Sequence, residues 1–163
     1  MEGSLNEALE RALRYLERQD RSCAQMARYL TKKGYEEETV AAAIEQLEAW
    51  GYLNDRRYAG AVAVSGVSGK NLGRRAVAQK LFVRGIDKAT AQEALDEACS
   101  EETERENALF WAKKLWPSIA AQDAEFRAKR EKLSRRLAAK GFSYDVIRRA
   151  VERVTNADPW DEE

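Results

Sequence analysis

Motifs able to do acid–base, metal or phosphate chemistry are sparse in this chain of 163 residues. It contains no histidine, which removes histidine general-base catalysis and histidine metal ligation. Two cysteines, Cys23 and Cys99, stand far apart within helical patterns; they cannot make a zinc site and read as buried thiols rather than a disulfide. The run Gly66, Val67, Ser68, Gly69, Lys70, Asn71 resembles part of a phosphate-binding loop. A complete one requires glycine at position 64 and Ser or Thr at 71, where Val64 and Asn71 stand, so the run reads as a flexible connection between helices. The acid clusters Glu36, Glu37, Glu38 and Glu101, Glu102 fall at helix starts, where carboxylates complement the helix dipole. These features predict a non-enzyme with no cofactor and no metal.

The positive chemical signal is basic, and it recurs. Eleven, five and one residues before Gly85 lie Arg74, Lys80 and Arg84; the same offsets before Gly141 give Arg130, Arg136 and Lys140. Before Gly34 they give Cys23, Tyr29 and Lys33. At 100° per residue Arg75 and Arg135 point nearly opposite the apolar stripes of their helices, and Arg74, Lys80, Arg130 and Arg136 flank those stripes. Arg74, Arg75, Lys80, Arg84, Arg130, Arg135, Arg136 and Lys140 are therefore the candidate partner-binding residues. Such a surface suits phosphates or an acidic protein.

The elements that carry these bases form a repeat. Leu30, Leu81 and Leu137 each precede by four residues a glycine, Gly34, Gly85 or Gly141, which has a base before it and Tyr35, Ile86 or Phe142 after it. Eight residues before each glycine stands Met26, Val77 or Leu133. Six and ten residues after it stand Val40 and Ile44, Ala91 and Leu95, or Ile147 and Val151, which is one helical face. Glycine stops a helix because it takes positive φ without a Cβ clash. The spacing between successive glycines, 34 to 85 and 85 to 141, exceeds what a two-helix repeat of roughly 34 residues needs, so each unit has room for a third helix. Leu5 to Leu16, Asp55 to Val64 and Glu104 to Trp116 carry the required apolar faces.

The predicted fold is all-α, three tandem three-helix repeats forming an elongated, curved chain: residues 1–53, 54–99 and 100–154, then an acidic tail at 155–163. Ser22 and Gln25 fit a capping box, Asp55 fits a helix cap, and Pro117 is expected to stop or bend its helix. Trp50, Trp111 and Trp116 read as core; Trp160 reads as part of an unstructured end, with docking on a partner as the alternative. Lys/Arg against Asp/Glu counts are 7 and 10 over residues 1–53, 8 and 5 over 54–99, and 13 and 9 over 100–154, an acidic unit followed by two basic ones. No segment approaches the roughly 20 apolar residues of a membrane span and no signal sequence opens the chain, so a cytoplasmic location without membrane contact is expected.

Three stretches carry a resemblance close to full length. They are Asp20, Arg21, Ser22 through Lys32, Lys33, Gly34, Tyr35; then Gly51, Tyr52, Leu53, Asn54, Asp55, Arg56, Arg57, Tyr58, Ala59; then Lys70, Asn71, Leu72, Gly73, Arg74, Arg75 through Leu81, Arg84, Gly85, Ile86. In this order they resemble the RecX family of bacterial regulatory proteins. The chain departs from that family at Gln25 and Met26, where an acidic and an apolar residue are common, and in a pI near 6.5. The resemblance implies a monomeric protein of three tandem three-helix repeats that binds the RecA filament and restrains its growth, ATP hydrolysis and strand exchange. It also implies weak direct contact with single-stranded DNA. The alternative is a helical nucleic-acid-binding module acting without RecA, since a helix, a glycine turn and a second helix also describe helix-turn-helix proteins.

Overall fold

The computed structural model describes residues 2–156. Among these residues the chain forms nine α-helices, one π-helical turn and no strand. The helices are α1 Glu2–Leu16, α2 Cys23–Lys32, α3 Glu37–Ala49, α4 Asp55–Val64, α5 Arg74–Val83, α6 Lys88–Ala98, α7 Glu101–Ala120, α8 Phe126–Ala139 and α9 Tyr144–Thr155. They fall into three successive triplets, the predicted all-α class of three-helix repeats. Packing gathers them into two compact units, residues 1–61 with 80–94 and residues 62–79 with 95–163, so the middle repeat contributes to both.

The repeated leucine and glycine act together at the ends of α2, α5 and α8. Gly34, Gly85 and Gly141 have φ of +96°, +76° and +94°. Each glycine N–H donates to the carbonyl three residues back, and the next residue donates to the leucine carbonyl: Tyr35 to Leu30 at 3.3 Å, Ile86 to Leu81 at 3.0 Å and Phe142 to Leu137 at 3.4 Å. This is a Schellman cap built three times, which satisfies carbonyls a helix end would otherwise leave bare. Leu30, Leu81 and Leu137, with Met26, Val77 and Leu133 four residues earlier, are each fully buried. A fourth cap of the same kind closes α3 at Gly51, with Tyr52 donating to Leu47.

In the first unit, Ala8, Leu9 and Ala12 of α1 pack with Met26 and Leu30 of α2 and Val40, Ala43 and Leu47 of α3. In the second, Ala108 and Ala112 of α7 pack with Leu133 and Leu137 of α8 and Ile147, Ala150 and Val151 of α9. The predicted capping box at Ser22 and Gln25 is present. Asp55 does a different job from the one expected. Asn54 caps α4, its Oδ1 accepting from Arg57 N–H at 3.0 Å, while Asp55 Oδ1 accepts from Cys23 N–H at 2.8 Å. Pro117 does not end α7 at once: the helix runs to Ala120, and Ile119, beyond the proline, is held in the core. Trp50 is not core either; it is half exposed, edge-on to Tyr52. Trp111 and Trp116 do pack against the core of the second unit.

The stretch read as a flexible connection is ordered structure. Ser65–Gly69 is a π-helical turn that continues α4, with Lys70 N–H donating to Ser65 O at 3.0 Å. Gly66 and Val67 are buried, and a Cβ on Gly66 would lie 2.7 Å from Val77 Cγ2. Asn107 Nδ2 donates to Val67 O at 2.9 Å and Leu72 O at 3.2 Å, and Trp111 Nε1 donates to Asn71 O at 2.9 Å. Carbonyls that leave the i→i+4 ladder at a π turn need partners from elsewhere. Asn107, buried on α7, supplies two of the contacts.

The glycines differ in their surroundings. A Cβ on Gly34 meets nothing within 4 Å, whereas one on Gly141 would lie 2.3 Å from Ala76 N. Gly34→Ala should therefore cost about 1–2 kcal/mol, the left-handed penalty alone. Gly141→Ala should cost clearly more, because backbone would have to move. Urea unfolding of both variants checks this; equal losses would contradict it.

Cys23 and Cys99 are free thiols, Cys99 buried and Cys23 half buried. Burial first, then the nearby Asp55 and Glu48 carboxylates, push the Cys23 thiol up to about 12. Because the folded value lies above the ordinary 9.0, this thiol contributes stability that is complete below about pH 9 and lost as pH rises toward 12. Cys23→Ala should flatten the decline in stability across that window, measured by denaturant unfolding at stepped pH; an unchanged slope would contradict the assignment.

Candidate partner-binding surface

Helix starts that meet helix ends position the basic residues. In the second unit, Gly73 N–H, at the start of α5, donates to Lys140 O at 2.9 Å, and Arg75 N–H donates to Gly141 O at 3.1 Å. The approach is backbone on backbone: a Cβ on Gly73 would lie 2.4 Å from the Gly141 carbonyl. Unpaired N–H groups at the positive end of α5 thereby satisfy unpaired carbonyls at the negative end of α8. Arg74 and Arg75 are set against the last turn of α8, which carries Arg136 and is followed by Lys140.

The first unit contains the same contact one repeat earlier. Ser22, at the same offset from Gly34 as Gly73 from Gly85, donates through Oγ to Arg84 O at 2.5 Å. Arg28 Nη2 donates to Val83 O at 3.2 Å, and a Cβ on Gly85 would lie 2.2 Å from Ala24 Cβ. Ser22 thus serves both as the cap of α2 and as a donor to the end of α5, and it is wholly buried. The recurring glycine therefore has a second requirement at positions 85 and 141, the absence of a Cβ where another helix begins. Nothing in the spacing of one chain announces that requirement.

The eight candidate bases do not form one cluster within one unit. Lys80 and Arg84 belong to the first unit; Arg74, Arg75, Arg130, Arg135, Arg136 and Lys140 belong to the second. Several are engaged within the fold. Arg74 pairs with Asp96, Arg84 lies 5.9 Å from the Tyr58 ring, Arg130 lies 5.8 Å from the Phe126 ring, and Lys140 Nζ lies 3.9 Å above Trp111. Lys80 is half buried. Arg75, Arg135 and Arg136 are exposed and make no ion pair among the described residues. Geometry therefore separates three bases available to a partner from five with at least partly structural roles. Arg136 is more open than its flanking angle predicts.

Arg28 and Arg135 share an offset from their glycines but not a role, because Arg28 holds a carbonyl of α5 and Arg135 is exposed. Sequence reasoning missed Asn107, and it read Trp111 only as core and Ser22 only as a helix cap, without their contacts to Asn71 and Arg84. A polar residue on the apolar stripe of α7 was the available signal for Asn107. Among the described residues, no group of three or more His, Cys, Asp or Glu side chains is arranged to hold a metal ion, and no helix is long and apolar enough to cross a membrane.

Comparison with known proteins matches this arrangement in chain order. Residues 8–47 match the family model described as RecX, first three-helix domain; residues 54–95 match the second, and residues 102–151 the third. A regulatory protein RecX of Clostridioides difficile is 29% identical over 154 residues, covering 94% of this chain and 71% of that protein. One from Clostridium botulinum strain Alaska E43 is 30% identical over 152 residues, covering 93% and 70%. The crystal structure of RecX from Lactobacillus salivarius superposes with a TM-score of 0.85 at 24% identity over 96% of this chain and all of the other, a likeness of fold. A second crystal structure, titled regulatory protein RecX, gives 0.79 at 26% identity over 89% of this chain and 70% of the other. Three consecutive domain matches, each containing one of the glycine-stopped helices, establish that the chain belongs to the RecX family of regulatory proteins.

Proposed function

We propose that this chain is a non-enzymatic regulator that binds the RecA nucleoprotein filament and restrains its growth, ATP hydrolysis and strand exchange during DNA repair, recombination and the SOS response in the cytoplasm. The observation that carries this reading is the succession of all three RecX domains along one chain, in order. In this reading the repeats are residues 1–53, 54–99 and 100–154, followed by the tail at 155–163. The protein acts as a monomer, without metal or cofactor. Filament contact is assigned to bases of the second and third repeats, led by Arg75, Arg135 and Arg136, with Arg74, Lys80, Arg84, Arg130 and Lys140 as the further candidates. A filament presents the same subunit surface repeatedly, and a repeat protein that carries one basic pattern twice suits such a target.

A second reading, a nucleic-acid-binding module independent of RecA, draws on the same arginines and on the helix, glycine turn, helix arrangement. Salt separates the two. Binding through phosphates alone loses affinity steeply, with log K falling by about 0.7 per contact per tenfold rise in salt for single strands. Weak, salt-sensitive binding to naked single-stranded DNA and tighter binding to RecA on DNA are expected in a fluorescence anisotropy titration. Equal or tighter binding to naked DNA would favour the second reading.

The double variant Arg75→Glu, Arg135→Glu should raise the concentration for half-maximal inhibition of RecA ATP hydrolysis about tenfold, equivalent to about 1.4 kcal/mol of binding. Its stability should stay within about 0.5 kcal/mol of the parent, because both side chains are exposed. Arg28 is unsuitable as a control because it caps α5; Lys32→Glu, exposed in the acidic first repeat, should inhibit like the parent. Unchanged inhibition by the double variant would remove these arginines from the contact.

A further inference from the structure

Two helix faces in this protein receive the carboxyl end of another helix, and the corresponding face of the third repeat is left open. Ten residues before the repeat glycine stand Ala24, Arg75 and Glu131. Ala24 meets Gly85 at the end of α5, and Arg75 N–H donates to Gly141 O at the end of α8. Among the described residues no fourth repeat follows α9 to seat on α8. Glu131 instead lines a groove between α8 and α9 that encloses about 730 Å³, together with Arg135, the counterpart of Arg28.

This groove is not finished as a surface for water. A repeat that ends a stack ordinarily turns a polar side outward. Here the buried Ile147 and Val151 form an apolar floor, and Phe126 and Tyr144 line the groove although they are 53% and 75% exposed. Arg127, Arg130, Arg135 and Arg148 surround them, with Glu131 the single lining acid. Arg127 pairs with Glu131 at 3.3 Å and Arg148 with Glu152 at 3.9 Å, exposed i, i+4 contacts that are worth little and release readily. The repeat itself does not require these groups. The positions of Phe126, Tyr144 and Arg148 are filled by Gln19, Glu37 and Ala41 in the first repeat and by Lys70, Lys88 and Gln92 in the second.

Charge and spacing together define an occupant. Four guanidinium groups against one carboxylate call for an acidic one. Tyr144, Ile147, Arg148 and Val151 line the groove at i, i+3, i+4 and i+7, a span of about 10 Å, which matches the spacing at which an amphipathic helix presents its anchors to a groove. An aliphatic floor gives the edge of a nucleobase no hydrogen-bond partner, so a base buried there would be desolvated without compensation. Apolar side chains gain from the same burial.

We propose that the α8/α9 groove docks an acidic amphipathic helix of a partner protein, about two to three turns long, with its apolar face on Tyr144, Ile147 and Val151 and its carboxylates beside the groove arginines. The occupant lies where a fourth repeat would pack. Side chains hold it, because Glu131 in place of Ala24 keeps backbone from the close approach made at Gly85. Arg130 and Arg135 belong both to this site and to the surface assigned to the filament, but the occupant is defined here by its chemistry and its binding needs no RecA.

The test titrates the full chain, without RecA, into a fluorescein-labelled synthetic helix of about 14 residues that carries leucine at i, i+3, i+4 and i+7 and glutamate at the flanking positions. Anisotropy should show binding about tenfold tighter than to an isomer with scrambled leucine spacing, and about tenfold tighter than to the same helix with lysine for glutamate. Tyr144→Ala, at an exposed site, should weaken binding several-fold. The double variant Arg127→Glu, Arg148→Glu should weaken the glutamate peptide about tenfold and strengthen the lysine peptide, an exchange of preference that loss of fold does not produce. Lys32→Glu, in the first repeat, should bind like the parent. Amide shifts on adding the glutamate peptide should map to α8 and α9. A parent that does not discriminate the peptide from its scrambled isomer would overturn the proposal, as would groove variants that bind like the parent. A single-stranded oligonucleotide that displaces the labelled peptide at lower concentration than unlabelled peptide does would assign the groove to nucleic acid. Shifts in α8 and α9 that grow with protein concentration, with no peptide present, would assign it to a second copy; either result overturns the proposal.

Discussion

A helix leaves its first N–H groups and its last carbonyls without partners, and this protein resolves the problem by setting the start of one helix on the end of another. α5 begins on the Schellman-capped end of α8 through Gly73 and Arg75, and α2 begins on the end of α5 through Ser22. Each such hydrogen bond contributes only about 0.5–1.5 kcal/mol net, but leaving its groups buried and unpaired costs about 1–3 kcal/mol each. Correct seating is therefore favoured mainly by the cost of the alternatives. Opposed dipole ends add to it.

Side-chain size enforces the contact. Gly85 and Gly141 occupy positions where any Cβ would overlap Ala24 or Ala76, and Gly73 touches a peptide group directly. The exposed bases inherit their positions from this seating: Arg75 is fixed by its own N–H, and Arg136 lies one turn before the carbonyls that receive it. Lys140 is held twice, by its carbonyl and by the indole beneath its ammonium. Trp111 in turn grips Asn71, so the π turn, α7 and the end of α8 form one connected support for the basic residues of the second unit.

Most of the fold was legible because helix formation and capping are local. The offsets of Met26, Leu30, Gly34 and their equivalents identify a buried stripe, a stop and a following helix, and α4 lies within the very bounds its apolar face implied. What spacing could not convey was contact at a distance. Asp55 looks like a cap and instead receives a bond from Cys23, with Asn54 taking its place, since both can accept at a helix start and only packing decides. The Gly66 to Lys70 run has loop composition, yet contacts with Asn107 and Val77 bury its first two residues, Gly66 and Val67, in a helical turn. Among the candidate bases, offset arithmetic identified helix faces but not engagement, because Asp96, Tyr58, Phe126 and Trp111 come from other turns or other helices.

Amide hydrogen exchange at Gly73 and Arg75, resolved by NMR, reports whether helix starts seated on helix ends position the candidate surface. Amides in the first turn of a helix ordinarily exchange fast. The start of α8, where Glu125 makes no side-chain cap bond, provides the internal reference. Gly73 and Arg75 should be protected to the level of the middle of α5, because their N–H groups are bound to Lys140 O and Gly141 O. Exchange at these two amides as fast as at Phe126 and Arg127 would contradict it.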